Sequence, residues 1–196
     1  MPGAPPPVGR GNTVGIIALD LSKRSTGWAV WMPEMTRPIY GSWVLGSEFT
    51  TNGRCYAKLL QNLSDQRKLT RFEAAFYEEP IRPEKLQGFT NVDTLRVLAG
   101  LATMTEYFAY GVGLRCCQPV NMASWRKHFI GKMPRGTKSK EWKDYAKERC
   151  AQYGWKVRTD DEADALGLLD YGCEVRGIIP PWRENEVLRP ILGGSK

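Results

Sequence analysis

The chain has 196 residues, the size of one ordinary domain, and 42% hydrophobic with 25% charged residues is the composition of a globular protein. No apolar run approaches the roughly 20 residues that cross a bilayer, and the Pro-rich and Gly-rich start lacks the apolar core of a signal peptide, so we expect no membrane partner and a cytoplasmic location. Five cysteines without a C-x-x-C pair, and a single histidine, argue against a disulfide framework and a zinc site.

The positive charge is concentrated in one segment. Between Arg126 and Arg158 there are eleven Lys or Arg and three Asp or Glu, which gives this segment a net charge of +8. The whole chain has a net charge of +7, so the rest of it carries −1. This asymmetry predicts a polyanionic partner, because a protein that neutralises phosphates releases their condensed counterions. A solvated helix face is the alternative interpretation.

Hydrophobic periodicity and turn residues predict the elements in chain order. Residues 1–12 read as a flexible arm, 13–176 as one domain and 177–196 as a C-terminal tail. The predicted elements are strands 14–20, 28–32 and 39–45, helix 54–69, strand 74–77, helix 92–110, strand 113–118, a short helical turn at 124–130, helix 139–153 and helix 160–173. Their order predicts an α/β fold with a mixed five-stranded sheet, a three-strand antiparallel meander plus parallel strands, flanked by helices.

The start of the last helix carries more acid than capping requires. Thr159 and Glu162 form a T-x-x-E capping box, and the helix dipole favours Asp160 and Asp161 in the first turn. Neither effect accounts for Asp164, which lies one turn after Asp161 on the same face. Two like charges at that spacing repel each other unless a cation lies between them or one is protonated.

Two further acids end predicted strands: Asp20 closes the first and Glu78 the fourth. If these strands are neighbours, the two carboxylates and the helix pair form a cluster of oxygen donors, the ligand type that Mg²⁺ or Mn²⁺ prefers. Such a cluster can hold two ions for phosphodiester cleavage. Scattered surface carboxylates and helix caps are the alternative.

Three motifs carry a family resemblance. GIIALDLSKRSTGWAV at 15–30 resembles the first strand and hairpin of the RuvC-type Holliday-junction resolvases of the RNase H-like superfamily. FYEEP at 76–80 is similar to the family strand that ends in a metal-binding Glu, and DEADALGLLDY at 161–171 is similar to its D-x-x-D helix. Ser22 in DLS and the WRK…GK segment resemble the phage-encoded branch, which implies a bacterial cell or a phage-infected host.

The resemblance implies an RNase H-like fold, a homodimer, and paired Mg²⁺-dependent nicking of four-way DNA junctions, with Mn²⁺ as a substitute. By matching position, the catalytic metal ligands are Asp20, Glu78, Asp161 and Asp164, with two ions per site. Glu79 is disfavoured because strand alternation sends it to the opposite face. Asp160 replaces Asp161 if the helix begins one residue earlier.

The basic segment is the expected DNA-facing surface. The predicted phosphate contacts are Lys132, Arg135, Lys138, Lys140 and Lys143, together with Arg82 and Lys85 in the loop after Glu78. A plain surface loop is an equal interpretation of 80–91. We expect Ser139 to cap the helix that follows, and Trp125 and His128 to pack in the core. By resemblance, the second helix with its face at 99–102 is the candidate dimer contact.

Other functions stay open. A nuclease of the same fold that cuts flaps, forks or RNA–DNA hybrids has the same motifs. A sugar-kinase or actin-like ATPase also has an Asp after its first strand, but repeats the fold in a second domain, and no repeat is present here. A non-catalytic nucleic-acid-binding module is disfavoured by the presence of all four carboxylates.

Overall fold

The computed structural model describes residues 14–80 and 92–184. The elements are β1 (Ile16–Asp20), β2 (Thr26–Trp31), β3 (Ile39–Trp43), α1 (Asn52–Thr70), β4 (Ala74–Glu78), α2 (Val92–Gly111), β5 (Cys116–Val120), α3 (Met122–Phe129), α4 (Ser139–Gln152), α5 (Asp160–Val175) and a 3₁₀ turn (Pro181–Arg183). The predicted arm, 1–12, lies outside the described residues. No helix among those described has the length and apolarity to span a membrane.

The strands form one five-stranded sheet in the order β3-β2-β1-β4-β5. β1 pairs antiparallel with β2, and β2 with β3, whereas β1 and β4, and β4 and β5, are parallel. The predicted mixed sheet of a meander plus parallel strands is therefore confirmed. The chain passes from β1 to β4 through β2, β3 and α1, and from β4 to β5 through α2, so each parallel connection includes a helix.

Helices cover both faces of the sheet. Because successive side chains of a strand point to opposite faces, Ile16 and Ala18 pack with α3, α4 and α5, whereas Ile17 and Leu19 pack with α1 and α2. The central strands are apolar on both sides for this reason. Helix α5 is buried along most of its length and lies across β1 and β2.

Two predicted boundaries differ from the structure. The fifth strand, predicted at 113–118, spans Cys116–Val120 and includes Pro119. An edge strand tolerates proline because a nitrogen facing away from the neighbouring strand has no ladder bond to make. The predicted turn at 124–130 is the two-turn helix α3, which begins after Asn121, whose side chain accepts a hydrogen bond from Ala123 N at 3.0 Å.

The first part of the predicted tail, 177–196, is packed on the domain. Trp182 is buried, with its ring 5.8 Å from Trp31 and 5.3 Å from Trp155. Asp170 of α5 accepts hydrogen bonds from Trp182 Nε1 at 2.7 Å and Arg183 Nε at 2.8 Å. The packed segment therefore extends to residue 184, and of the predicted tail only 185–196 lie outside the described residues.

Half of the segment predicted for dimerisation, 99–102, is buried inside the protomer. Leu101 and Ala102 are buried, and a Cβ on Gly100 would lie 2.0 Å from the Tyr56 hydroxyl oxygen of α1. Small residues at this position allow α1 and α2 to approach closely. Leu101 and Ala102 are therefore not available to a partner subunit, whereas Ala99 is exposed, and the assignment of the dimer contact to this helix stays a prediction.

Candidate active site

Asp20 and Glu78 end two adjacent parallel strands. The register pairs Leu19 with Tyr77, so the residue that follows each lies at the same edge of the sheet, and neighbouring strands are about 4.8 Å apart. Both side chains lie on the α5 face, since Ala18 and Phe76, two positions earlier, pack there. The strand ends thus bring together two acids that are 58 positions apart in the chain.

The first turn of α5 is fixed by its cap. Thr159 Oγ1 accepts a hydrogen bond from Glu162 N at 3.1 Å, as the capping box predicts. The Glu162 carboxylate accepts from Arg158 N at 2.7 Å rather than from the cap residue itself. Glu162 is therefore structural, which leaves Asp161 and Asp164 as the acids of this turn without a capping role.

A glycine lets this turn approach the sheet. Gly27 of β2 pairs with Asp20 of β1, and a Cβ on Gly27 would lie 1.9 Å from the carbonyl oxygen of Asp161. No side chain fits between the two backbones. Gly27 is therefore required by close approach, and it allows α5 to place its acids beside Asp20.

The carboxylates interact electrostatically across the sheet edge. The pKa of Asp20 is raised well above its usual value, first by burial and then by the negative charges of Asp164, Glu78 and Asp161. Burial also raises the pKa of Asp164 to about 7, although Arg126 acts in the opposite direction. All four predicted site acids are therefore gathered in one region, and their role as metal ligands stays a prediction.

Trp125 of α3 orients Glu78. Its indole Nε1 donates a hydrogen bond to Glu78 Oε2 at 2.9 Å, and the ring is fully buried. Burial raises the pKa of Glu78, while the Trp125 hydrogen bond and the Arg126 charge lower it. The expectation that Trp125 packs in the core is confirmed, but the residue also holds a site carboxylate in place.

Arg126 is a residue of the candidate site that the sequence did not predict. Its Nη2 lies 3.7 Å from Asp164 Oδ2, and only 15% of the side chain is exposed. The guanidinium lies over the rings of Trp125, at 5.3 Å, and Trp142, at 5.8 Å. The available signal was an arginine between two tryptophans in the basic segment, and aromatic faces are preferred neighbours of guanidinium groups.

The donors suit a hard divalent cation in type and charge. Among residues 14–80 and 92–184, no three acidic, His or Cys side chains already converge as a metal-binding group. Glu78 is instead hydrogen-bonded to Trp125, and Asp164 faces Arg126. Burial, and after it the neighbouring carboxylates, raise the pKa values of Asp20 and Asp164, and four carboxylates are a donor set appropriate to Mg²⁺ or Mn²⁺.

Asp160, the alternative to Asp161, is engaged elsewhere. Its carboxylate pairs with Lys143 at 3.1 Å and with Lys147, both on α4. These lysines lower the pKa of Asp160, the Lys147 hydrogen bond most strongly. Lys143, a predicted phosphate contact, is thus held beside the start of α5 by an ion pair.

Four of the other predicted phosphate contacts lie on the surface between α3 and α4 or in the first turn of α4. Lys132, Arg135, Lys138 and Lys140 are exposed, and none forms an ion pair with another described residue. Helix α4 begins at Ser139, so the predicted cap is wrong by one residue: Lys138 is the N-cap, and its backbone N donates to Glu141 Oε2 at 2.7 Å. Arg82 and Lys85 lie outside the described residues.

His128 is part of the core-facing network on α3, as expected. Its Nε2 lies 3.2 Å from Asp170 Oδ2, the same carboxylate that binds Arg183. The histidine is therefore committed to anchoring the C-terminal segment, and the site acids have no imidazole among them.

Solved structures share this architecture. RuvC of T. thermophilus in complex with a Holliday junction substrate aligns with a TM-score of 0.61 and 13% identity over 84% of this chain and 96% of that chain. A second structure of Thermus thermophilus RuvC aligns with a TM-score of 0.62 and 14% identity over 83% of this chain and 96% of that chain. The yeast mitochondrial Holliday junction resolvase Ydc2 aligns with a TM-score of 0.53 and 10% identity over 81% of this chain and 77% of that chain. The chain thus has the RNase H-like fold of RuvC.

At the level of sequence there is no comparable match. No protein-family model matches the chain, and no curated protein does. At 10–14% identity the structural likeness establishes the fold, and function has to be argued from the site.

Proposed function

We propose that the protein is a metal-dependent endonuclease that resolves four-way DNA junctions by paired nicking. The observation that carries the proposal is that Asp20 and Glu78 end adjacent parallel strands, and that the start of α5, with Asp161 and Asp164, packs against Gly27 beside Asp20. The supporting observations are the fold shared with two junction resolvases and the cationic surface between α3 and α4.

In this proposal the four carboxylates hold Mg²⁺, with two ions per site and Mn²⁺ as a substitute. Asp20, Glu78, Asp161 and Asp164 would hold the ions, whose chemistry would be to supply a water nucleophile and to stabilise negative charge on the leaving 3′ oxygen. Trp125 keeps Glu78 directed at the site. Arg126, close to Asp164 and shielded from water by two indole rings, offsets the surplus negative charge and stabilises the scissile phosphate.

The basic segment supplies phosphate contacts away from the reacting bond. Lys132, Arg135, Lys138 and Lys140 are free to bind the backbone of a DNA arm, whereas Lys143 is positioned nearer the site by Asp160. Such contacts fix register and orientation and are independent of sequence. We include Arg82 and Lys85 in the same surface on the basis of the sequence prediction.

Paired cuts on symmetric strands require two sites, so we propose a homodimer. We place the contact on the exposed side of α2, which includes Ala99 of the predicted face. It presents Val92, Tyr107 and Tyr110, with exposed fractions of 70%, 66% and 91%, and the small Ala99 and Thr103 lie between them on the same side. The phage-encoded branch and the cytoplasmic location remain predictions from the sequence.

The test is cleavage of a synthetic four-way junction with Mg²⁺. We expect symmetric nicks in opposite strands, and we expect Asp20→Asn and Glu78→Gln to abolish cutting while junction binding persists. The matched controls are Asp144→Asn and Glu174→Gln, exposed acids on α4 and α5. Wild-type rates for Asp20→Asn and Glu78→Gln would contradict the site.

The same assay separates the alternative nuclease functions. Flap, fork and RNA–DNA hybrid substrates are cut in parallel with the junction. We expect the junction to be cut in preference to all three. Equal or faster cutting of a flap or a hybrid would favour a broader nuclease of the same fold.

A further inference from the structure

A cleft of about 880 Å³ opens at the same edge of the sheet as the carboxylates, but on the α1–α2 side. The β1–β2 turn, the β3–α1 loop and the first turns of α2 line it. It begins at Leu21, the residue after Asp20, and successive strand residues face opposite sides of a sheet. The cleft and the candidate metal site therefore lie on opposite faces of the sheet at the end of β1.

The cleft has an apolar floor and a polar rim. Leu21 and Val97 are buried beneath it, whereas Ser22, Thr50 and Asp93 supply hydroxyl and carboxylate groups at its edge. A nucleobase has the complementary shape, with two apolar faces and a periphery of donors and acceptors. The volume is within the range of pockets that take small organic groups.

The charges on the cleft favour a single nucleotide over a run of phosphates. Lys23 and Arg24 line it, but so do Glu48 and Asp93. Arg24 is paired with Glu48 at 3.0 Å, whereas Lys23 forms no ion pair with another described residue. Among the residues that the structure describes at the cleft, Lys23 is thus the cation without an ion pair, and one cation beside an apolar floor suits one phosphate and its base.

Phe49 stands at the rim with 89% of its surface exposed. Its loop is held by hydrogen bonds from Ser47 N to Thr50 Oγ1 at 2.9 Å and from Thr50 N to Ser47 O at 3.1 Å. Gly46 N donates to Lys23 O at 2.9 Å, which ties this loop to the β1–β2 turn. The ring is thus presented on an ordered loop beside an open cleft, an arrangement suited to base stacking.

We infer that this cleft binds one unstacked nucleobase of the substrate DNA, with Phe49 stacked on the base and Lys23 paired with its phosphate. A strand that crosses the edge of the sheet would then place this base on one side of β1 and a neighbouring phosphate at Asp20 on the other. The inference rests on the proposed function, because it assumes that DNA occupies the carboxylate site. Junctions provide unstacked bases at the branch point, and regular duplexes do not.

The test measures binding of the full chain in EDTA to a labelled four-way junction, a short oligothymidine strand and a regular duplex. Phe49→Ala should weaken binding of the junction and of the single strand by between about five- and a hundredfold, the effect of losing one aromatic stack. Binding of the duplex should not change. Phe49→Trp should keep wild-type affinity, because it retains a ring.

The control variant is Leu69→Ala, which removes an apolar residue that is 80% exposed at the opposite end of α1. It should bind all three probes as the wild type does. Lys23→Ala should reduce the salt dependence of single-strand binding by about one phosphate contact. Melting temperatures of every variant should match the wild type, since Phe49 is exposed and removing its ring leaves the core intact.

The outcomes separate this inference from the proposed function. Nicking by the wild type with equal junction affinity for Phe49→Ala and Leu69→Ala would overturn the nucleobase site and leave the nuclease standing. Loss of single-strand affinity in Phe49→Ala, with no junction cutting by the wild type, would support the site and overturn the function. A wild type that does not bind the single strand, or an equal loss on duplex, would also overturn the nucleobase site.

Discussion

The close approach of Gly27 to Asp161 makes a sharp prediction about how the site is assembled. In Gly27→Ala the new Cβ would lie 1.9 Å from the Asp161 carbonyl oxygen and 2.4 Å from its carbon, against an ordinary contact of at least 3.4 Å. Both neighbours are backbone atoms, so no side-chain rotation relieves the overlap. The first turn of α5 must move away from β2 by about 1.5 Å.

The expected effect is larger on catalysis than on folding. Overpacking of this kind destabilises by about 1–3 kcal/mol, and for a domain of this size that lowers the melting temperature by roughly 2–12 °C. A misplacement of about 1 Å in a catalytic group reduces rates by about a hundredfold. Gly27→Ala should therefore remain folded at 25 °C and lose at least about two orders of magnitude in junction cutting.

The assay pairs single-turnover cutting with a thermal melt, and Gly111→Ala is the matched control. Gly111 ends α2, and a Cβ there would have no atom within 4 Å. It should cut and melt as the wild type does. A Gly27→Ala protein with wild-type cutting and an unchanged melting temperature would refute the argument that this contact positions α5.

Three further predictions follow from buried and charged groups. Burial raises the pKa of Asp164 from 3.8 to about 7 in the folded protein. Because the unfolded chain releases this proton at lower pH, the free energy of unfolding should fall as the pH rises between these two values. Asp164→Asn should flatten this fall and raise the melting temperature of the metal-free protein at pH 8. Trp182→Ala should lower the free energy of unfolding, measured in urea, by about 3–5 kcal/mol, because the ring is buried. A change below about 0.5 kcal/mol would contradict the packing of this segment on the domain. Replacing Lys138 and Lys140 with Ala should flatten the salt dependence of junction binding by about two phosphate contacts, and an unchanged slope would remove them from the interface.

The sequence predicted the sheet and the strand-end acids because the signals are local. Asp20 and Glu78 each follow a short buried strand, and parallel strands end at one edge, so their proximity follows from topology. The D-x-x-D spacing at the start of α5 could likewise be read from helical periodicity. These inferences required no knowledge of side-chain packing.

The remaining features depend on contacts between distant segments. The role of Arg126 depends on which way α3 is rotated, and the burial of Trp182 on a docking surface made by Trp31, Trp155 and Asp170. The inward direction of Gly100 follows from the fit of α1 against α2. None of these relations leaves a periodic pattern in the sequence. The sequence therefore indicated only that Arg126 begins the basic segment, that Trp182 lies in the tail and that Gly100 lies on an outer helix face.

The most direct test of the central claim is equilibrium binding of Mn²⁺ to the full chain, followed by electron paramagnetic resonance of the free ion. We predict saturable binding by the wild type and by Asp144→Asn. Asp20→Asn should bind Mn²⁺ at least about tenfold more weakly, because the substitution replaces a negatively charged ligand of the cluster with a neutral amide. Equal Mn²⁺ affinity in wild type and Asp20→Asn, or no binding by the wild type, would contradict the claim that these carboxylates form a metal site.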